Sequence, residues 1–217
     1  MILAMLFVPP AYAKIVKGVP LRWVALTFDD GPTPGVTDKI LEILKKEKIK
    51  ATFFVIGRKV EENPGLLYQI AQDGHAIGNH TYSHPRTGWI NEKKLLIEIQ
   101  RTSKLISSIA GVPVFLFRPP YGKIDPHKRK ILEKQGYRVI LWSNSADDCY
   151  RKGRGIRSPN SMTWRVVSRV RGGDIVLLHD NSKQIVEALP EMIKTLKSKG
   201  YVFVKVSELK QGKIKSK

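Results

Sequence analysis

Residues 24–32 read VALTFDDGP, an apolar run typical of a buried strand that ends directly at two carboxylates, Asp29 and Asp30. Similar apolar, β-rich runs recur along the chain and give, with the first, seven candidate strands: 24–28, 51–56, 75–78, 114–117, 137–142, 174–178 and 201–206. The residues directly after each strand therefore carry most of the information about the chemistry of this chain.

Amphipathic segments lie between most of these strands. One follows Thr37-Asp38, a second follows Asn91, and a third precedes Gly200. Asp125-Pro126 is typical of a helix N-cap followed by a proline at the first helical position. Strands that alternate with helices imply parallel strands joined by crossover helices, in a doubly wound sheet or a barrel. We expect the stretch 149–173 to be the least regular.

The composition is that of a folded protein with one well-packed domain. Of the 217 residues, 42% are apolar and 26% are charged, which excludes disordered and collagen-like classes. We expect one domain over residues 14–217, with its core at about 24–209. The single cysteine, Cys149, excludes an internal disulfide and a cysteine-based metal cluster, and is expected to be a buried or half-buried filler.

The net charge of +19, from 38 basic and 19 acidic residues, favours an anionic partner. Nucleic acid, an anionic membrane and an acidic envelope polymer are open on charge alone, but no nucleic-acid-binding motif is present. Residues 151–171 carry seven cations and no acid, which indicates either a solvated face or a patch that faces a polyanion. The lysines of 210–217 are expected to be a solvated end.

The first thirteen residues, MILAMLFVPPAYA, carry no charge and end in Ala11-Tyr12-Ala13, as a cleaved secretory signal would. A hydrophobic first strand is the alternative, favoured by the missing basic segment. No apolar stretch of the sequence is long enough to cross a membrane. We expect export to the periplasm, cell wall or extracellular space, with a cytoplasmic location as the alternative, and a monomer.

Chemically active side chains follow the first and third strands. The carboxyl ends of parallel strands form the site in α/β folds. Asp29 and Asp30 end the first strand, where a turn with an Asx cap is the alternative. His80 and His84 follow the third, and their spacing would place both on one side of a helical turn, as metal capture requires. One carboxylate would complete a three-ligand site with an open position for water.

Three further strand ends carry charged or titratable residues. Arg118 would form either a salt bridge or a fork that holds a carboxylate in position. His179 is either structural or a general acid. Asp147 and Asp148 are equally able to orient a catalytic imidazole. Five of the seven candidate strands therefore end at Asp, His or Arg. Chance would hardly produce this in a chain with only five histidines, so the pattern predicts a catalytic site.

Together these segments resemble the five motifs of the polysaccharide deacetylase family, carbohydrate esterase family 4, also called the nodulation-protein-B homology domain. The motifs are TFDDG at 27–31, HTYSH at 80–84, RPPY at 118–121, the Asp148 region, and LLH at 177–179. The resemblance covers about residues 24–209. It implies an α/β fold, a distorted (β/α)7-type barrel with parallel strands.

The resemblance implies a metal site and a general base. Asp30, His80 and His84 would hold a divalent metal, most often zinc, with cobalt, nickel or manganese as alternatives. Asp29 would take the proton of the attacking water, oriented by Arg118.

It also implies an acid and a substrate pocket. His179 would protonate the leaving amine, and Asp148 would hold His179. The backbone N–H of Tyr121 would stabilise the oxyanion, and Leu177 and Pro120 would line the acetyl pocket with Tyr121. In the fourth motif Ser145 replaces the usual first aspartate and Cys149 replaces the usual tryptophan. Loss of that tryptophan would remove a wall on which a sugar stacks.

The expected activity is that of a hydrolase acting on carbon–nitrogen bonds other than peptide bonds. It would remove N-acetyl groups from N-acetylated amino-sugar polymers, first of all peptidoglycan or a related bacterial envelope glycan, with anionic envelope polymers bound by the basic surface. A chitooligosaccharide deacetylase and a lipid-linked amino-sugar deformylase are alternatives within the fold. A non-catalytic glycan-binding or nucleic-acid-binding protein is the alternative of another class, against which the complete set of base, ligands and acid argues.

Overall fold

The computed structural model describes residues 22–149 and 155–209. In this part of the chain eight parallel strands form one sheet in the order β5-β4-β3-β2-β1-β7-β6, and β8 pairs with the start of β1. Within the described residues no ladder joins β5 to β6, so the distorted barrel stays open there. The strands are β1 (Arg22–Asp29), β2 (Thr52–Val55), β3 (Ala76–Asn79), β4 (Leu116–Phe117), β5 (Arg138–Val139), β6 (Asn144–Ser145), β7 (Asp174–His179) and β8 (Tyr201–Phe203).

Helices connect the strands, and the expected alternation is confirmed. The seven α-helices of the described ranges are α1 (Thr37–Lys46), α2 (Gly57–Glu62), α3 (Pro64–Gln72), α4 (Glu92–Ala110), α5 (Pro126–Lys134), α6 (Pro159–Val167) and α7 (Lys183–Ser198). Two of the N-caps are those that the sequence indicates. The Asn91 side chain accepts a hydrogen bond from the Lys94 N–H at 2.9 Å, and Asp125 accepts one from the His127 N–H at 2.8 Å.

Two sequence expectations about regular structure are wrong. The stretch 149–173 contains α6, which Ser158 caps through the Ser161 N–H and which buries Met162 and Val166 on one face. The fifth candidate strand is shorter than 137–142, and an eighth strand, β6, forms just after it. β6 is hard to find because its two residues belong to the sheet only through pairing with β7.

The central strand β1 divides its side chains between two environments. Val24, Leu26 and Phe28 pack outward in the main core with the buried faces of α1 and α7. Ala25 and Asp29 face the inside of the curl, and Ala25 packs there against residues of β2, β4 and β7. Alternation along one strand therefore supplies both the core and the first carboxylate of the site.

None of the described helices is both long and apolar enough to cross a membrane. Residues 1–13, on which the expectation of a signal or a first strand rests, lie outside the described residues. The same holds for the lysine-rich end 210–217 and for Arg151, Lys152 and Arg154.

Candidate active site

A cavity of about 560 Å³ opens at the carboxyl ends of the strands. The ladder between β1 and β7 pairs Asp29 with His179, so these two side chains leave neighbouring strand ends. The motifs that are far apart in sequence therefore meet at one edge of the sheet. The cavity is lined by Asp29, Asp30, His80, His84, Tyr121, Trp142, Ser145, Asp147, Cys149, Arg165, Leu177 and His179.

Asp30, His80 and His84 form a group of possible metal ligands in the cavity, with one ligand atom of each within 4.8 Å of the other two. The Asp30 Oδ1 atom lies 3.5 Å from His80 Nε2 and 3.3 Å from His84 Nε2. Ligand atoms at tetrahedral zinc are about 3.3 Å apart when each lies about 2.0–2.1 Å from the ion. The Asp30 Oδ1 atom is also buried without a hydrogen-bond partner in the described part of the chain. Spacing, donor types and the unpartnered oxygen all fit a divalent metal.

Neighbouring groups fix the orientation of these ligands. His80 Nδ1 lies 2.7 Å from the carbonyl oxygen of Arg118, which can only accept, so Nε2 keeps its lone pair for a metal. The Asn181 amide donates to Asp30 Oδ2 at 3.1 Å. Burial opposes ionisation of Asp30, but its close contact with the His80 ring and the charges of the surrounding histidines outweigh burial and hold the pKa of Asp30 well below its usual value. Burial lowers the pKa of His84, so the neutral, ligating form of that imidazole is favoured.

The expectation that the two histidines share a helical turn is wrong. Residues 80–84 form an irregular loop in which Thr81 and His84 have left-handed backbone angles, with φ of 68° and 58°. The carboxylate of Glu98, on α4, accepts from the N–H groups of Tyr82 and Ser83 at 3.0 and 2.7 Å. The imidazole rings still meet, with their centroids 4.9 Å apart.

The predicted partner of Asp29 is present. Arg118 is fully buried, and its Nη1 donates to Asp29 Oδ1 at 2.7 Å and to Thr27 Oγ1 at 2.8 Å. Its Nε donates to the Ile140 carbonyl at 3.3 Å. Because these hydrogen bonds hold the buried guanidinium in place, it fixes the orientation of the Asp29 carboxylate. The two roles considered for Arg118, a salt bridge and a contact that orients a carboxylate, are therefore one interaction.

The structure distinguishes the two aspartates that the sequence leaves equivalent. Asp148 Oδ1 lies 2.8 Å from His179 Nδ1, and Asp148 Oδ2 accepts from the His179 N–H at 2.7 Å. Asp147 instead accepts from Arg157 Nε at 2.9 Å and lies 3.9 Å from Arg165 Nε. Two cations of the basic stretch therefore lie beside a carboxylate.

The imidazole of His179 is held in its charged form. Burial of the ring lowers its pKa, but the hydrogen bond and charge of Asp148, together with the charges of Asp29 and Asp30, raise the pKa to about 10. The ring therefore carries a proton at neutral pH and can donate it from Nε2, since Nδ1 is occupied by Asp148.

Of the three residues expected around the acetyl group, two line the cavity and one does not. Leu177 and Tyr121 line the cavity, whereas Pro120 is buried and is not among its lining residues. Tyr121 has a left-handed backbone, with φ of 60°, and its ring lies 4.8 Å from the ring of His84. Trp142 lines the cavity and supplies an aromatic wall although Cys149 replaces the usual tryptophan.

The expectation that Cys149 is a buried filler is wrong. Its side chain is exposed and lines the cavity beside Ser145 and Asp147. Free cysteines are among the most buried residue types, so the expectation followed the type of residue and not its place at the cavity.

Sequence reasoning missed Asp180 and Asn181, which follow the last motif directly. The fully buried carboxylate of Asp180 accepts from the Thr37 hydroxyl at 2.8 Å. A Cβ atom on Gly31 would lie 1.9 Å from Asp180 Oδ2, so this carboxylate packs directly beneath the loop that carries Asp29 and Asp30. Burial raises the pKa of Asp180 to about 7. Polar residues directly after His179 were the available signal.

A family model described as polysaccharide deacetylase matches residues 17–140. The chain is also similar to a peptidoglycan-N-acetylglucosamine deacetylase of Bacillus cereus, with 40% identity over 189 residues that cover 86% of this chain and 87% of that protein.

Solved structures show the same architecture. The crystal structure of the Bc1960 peptidoglycan N-acetylglucosamine deacetylase superposes with a TM-score of 0.83 and 37% identity, and covers 88% of this chain and 89% of that one. A family 4 pseudoenzyme from Bacillus anthracis superposes with a TM-score of 0.80 and 32% identity, and covers 87% of this chain and 65% of that one. Similarity of fold therefore extends to proteins with and without activity, and the residues of the site have to carry the functional argument.

Proposed function

Since this chain belongs to the polysaccharide deacetylase family, we propose that it hydrolyses the N-acetyl groups of amino sugars in a bacterial envelope glycan, first of all peptidoglycan. The observation that carries the proposal is the set of polar contacts inside one cavity. Arg118 fixes the Asp29 carboxylate, and Asp148 fixes the His179 imidazolium. These two groups lie at the ends of neighbouring strands, beside three side chains that could hold a metal. A domain that only binds glycan would have no use for this combination.

The reaction needs a base, an acid and a stabilised oxyanion, and the chain offers a candidate for each. A divalent ion held by Asp30, His80 and His84, with zinc as the first choice, would supply Lewis-acid polarisation and a water of lowered pKa. Asp29 would take the proton of the attacking water as its oxygen bonds to the amide carbon. The Tyr121 N–H would donate to the developing oxyanion.

The second half of the reaction breaks the carbon–nitrogen bond. An amine is a poor leaving group until its nitrogen is protonated, so an acid must face the base across the scissile bond. His179 would donate that proton from Nε2, while Asp148 keeps the ring charged and oriented. Acetate and a free amino sugar are the products. Of the two protons of the attacking water, the one taken by Asp29 restores the proton that His179 has given up, and the one left on the acetic acid passes to solvent.

The substrate assignment is supported by charge and by the relatives. The net charge of +19 favours an anionic environment such as the bacterial envelope. The Bacillus cereus relative and the Bc1960 structure both carry names that specify peptidoglycan N-acetylglucosamine. An enzyme that acts on this polymer meets it outside the cytoplasmic membrane, so we extend the proposal to export, with residues 1–13 as the signal.

A comparison of three substrates tests the assignment. Purified peptidoglycan, chitotetraose and an N-formylated lipid-linked amino sugar are each incubated with the zinc-loaded protein, and acetate and formate are measured. The proposal expects acetate release that is fastest from peptidoglycan. Formate without acetate would identify a deformylase, and faster acetate release from chitotetraose would identify a chitooligosaccharide deacetylase. Either result would overturn the assignment.

A further inference from the structure

Arg165, on α6, lines the active-site cavity with an incomplete set of hydrogen bonds. Its Nε atom is buried without a hydrogen-bond partner in the described part of the chain. The Asp147 Oδ2 atom lies 3.9 Å from that nitrogen, which is too far for a hydrogen bond. A guanidinium that is partly removed from water is stabilised by acceptor groups around it. An acceptor on the substrate would therefore meet a cation whose hydrogen bonds to the protein are incomplete.

The carboxylate of Asp147 is shared between two cations. Its Oδ2 atom accepts a hydrogen bond from Arg157 Nε at 2.9 Å, so the shorter of these two contacts belongs to Arg157. Ser145 stands where the fourth motif usually has an aspartate, and its hydroxyl accepts from the Asp147 N–H at 3.1 Å. These side chains bring two guanidinium groups and one carboxylate together at the cavity, which favours an anionic group on the substrate.

The backbone that carries Arg165 is anchored to the neighbouring strand β6. Val166, the next residue, is fully buried, and its carbonyl accepts from the side-chain amide of Asn144, on β6, at 3.1 Å. Met162, four residues earlier on the same face of α6, is also fully buried. Because α6 is held in this way, the fold sets the point from which the Arg165 side chain reaches the cavity.

The neighbours of Arg165 indicate which atoms of the sugar it faces. In the proposed reaction His179 donates its proton to the amide nitrogen, and Asp148 holds His179. Asp147, the residue before Asp148, lies beside Arg165, which places the guanidinium on the side of the leaving amine. In a 1,4-linked glycan the oxygens on C1 and C4 form the chain, so O3 is the free oxygen closest to the nitrogen on C2. We therefore expect Arg165 to reach a group attached to O3.

We propose that Arg165 binds a carboxylate carried on O3 of the amino sugar that is deacetylated. Among the amino sugars of peptidoglycan this selects N-acetylmuramic acid, which bears a lactyl group on O3, over N-acetylglucosamine. The planar guanidinium matches the two oxygens of a carboxylate, and the contact gains strength in a cavity that the substrate closes to water. The inference rests on the proposed function, because it requires N-acetyl hydrolysis in this cavity.

A matched pair of tetrasaccharides tests this selection. One alternates N-acetylglucosamine with N-acetylmuramic acid whose lactyl carboxylate is free, and the other is chitotetraose, which has the same backbone without lactyl groups. Acetate release by the zinc-loaded protein gives kcat/KM, and mass spectrometry identifies the deacetylated sugar. We expect hydrolysis at the muramic acid unit, with kcat/KM about tenfold higher than for chitotetraose. Arg165→Gln should remove most of this ratio, and Arg165→Lys should keep part of it because the charge remains.

Arg169→Gln provides the matched control. Arg169 is exposed just beyond α6 and is not among the residues that line the cavity, so its replacement removes the same charge at a different place. It should leave the ratio unchanged, and thermal melts of all variants check folding. An unchanged ratio in Arg165→Gln, an equal fall in Arg169→Gln, or hydrolysis at N-acetylglucosamine alone would overturn the role of Arg165, while acetate release leaves the proposed function intact. Absence of acetate from both tetrasaccharides and from peptidoglycan would overturn both.

Discussion

The role of Asp148 can be tested through the pH dependence that it imposes on His179. Asp148→Asn keeps the shape of the side chain and removes its charge. In the wild-type protein burial lowers the pKa of His179, and the hydrogen bond and charge of Asp148, with Asp29 and Asp30, raise it to about 10 from an ordinary value of 6.5. Without the Asp148 carboxylate, only the charges of Asp29 and Asp30 oppose the lowering by burial, so we expect the pKa to fall to about 6.5 or lower.

The size of the effect follows from the fraction of charged imidazole. At pH 8 a group with a pKa of about 10 is about 99% protonated, and one with a pKa of about 6.5 is about 3% protonated. At pH 6 the corresponding fractions are almost complete and about 76%. If His179 must donate a proton, Asp148→Asn should lower kcat/KM by about thirtyfold or more at pH 8 and by a clearly smaller factor at pH 6, beyond any loss that is equal at both pH values.

Two assays check this reasoning. Nuclear magnetic resonance titration of the metal-free protein follows the His179 ring directly, and acetate release by the zinc-loaded protein gives kcat/KM from pH 6 to pH 8. The folded-state pKa is raised, so the charge of His179 also stabilises the fold fully below pH 6.5, and this stabilisation is lost as the pH rises to about 10. A loss of activity in Asp148→Asn that is the same at pH 6 and pH 8 would refute the acid role and leave Asp148 with orientation alone.

Three further predictions concern residues around the loop that carries Asp29 and Asp30. Asn181→Ala removes the donor to Asp30 Oδ2, so we expect zinc affinity to fall about tenfold, as measured by chelator competition; unchanged affinity would contradict this orienting role. Gly31→Ala places a Cβ atom 1.9 Å from Asp180 Oδ2, so we expect urea unfolding to show a loss of about 1–3 kcal/mol in the free energy of unfolding. Gly65→Ala is the control: a Cβ atom there has no other atom within 4 Å, so the free energy of unfolding should change little. Asp180 has a folded-state pKa of about 7, against an ordinary value of 3.8. Its protonation therefore stabilises the fold fully below pH 3.8, and this stabilisation is lost as the pH rises through about 7. Relative to Asp180→Asn, the metal-free wild-type protein should lose up to about 4 kcal/mol of unfolding free energy between pH 4 and pH 7, and parallel pH curves for the two proteins would contradict this prediction.

The sequence predicts most of the fold because its signals are local. Asn91 and Asp125 cap helices through their own following N–H groups, and the period of apolar residues marks α1, α4 and α7. The carboxyl-end rule for parallel strands then places five separate motifs at one edge. It does so without any knowledge of which strands are neighbours.

The parts that sequence reasoning missed depend on tertiary contacts. His80 and His84 meet because Glu98 on α4 folds the intervening backbone into an irregular loop, and no helical period records that contact. Asp147 and Asp148 differ only in what lies opposite them, Arg157 in one case and His179 in the other. The exposure of Cys149 has no signal in the sequence, because it lies in irregular chain beyond β6, a strand of only two residues.

The stoichiometry of acetate release from an N-acetylated glycan, measured together with metal content, tests the assignment of the site most directly. We predict that the zinc-loaded protein releases equal amounts of acetate and free amine, that Asp29→Asn keeps its zinc and releases neither, and that His84→Ala loses both zinc and activity. Near-normal acetate release by Asp29→Asn would contradict the assignment of the base. Full zinc retention by His84→Ala would contradict the assignment of the metal ligands.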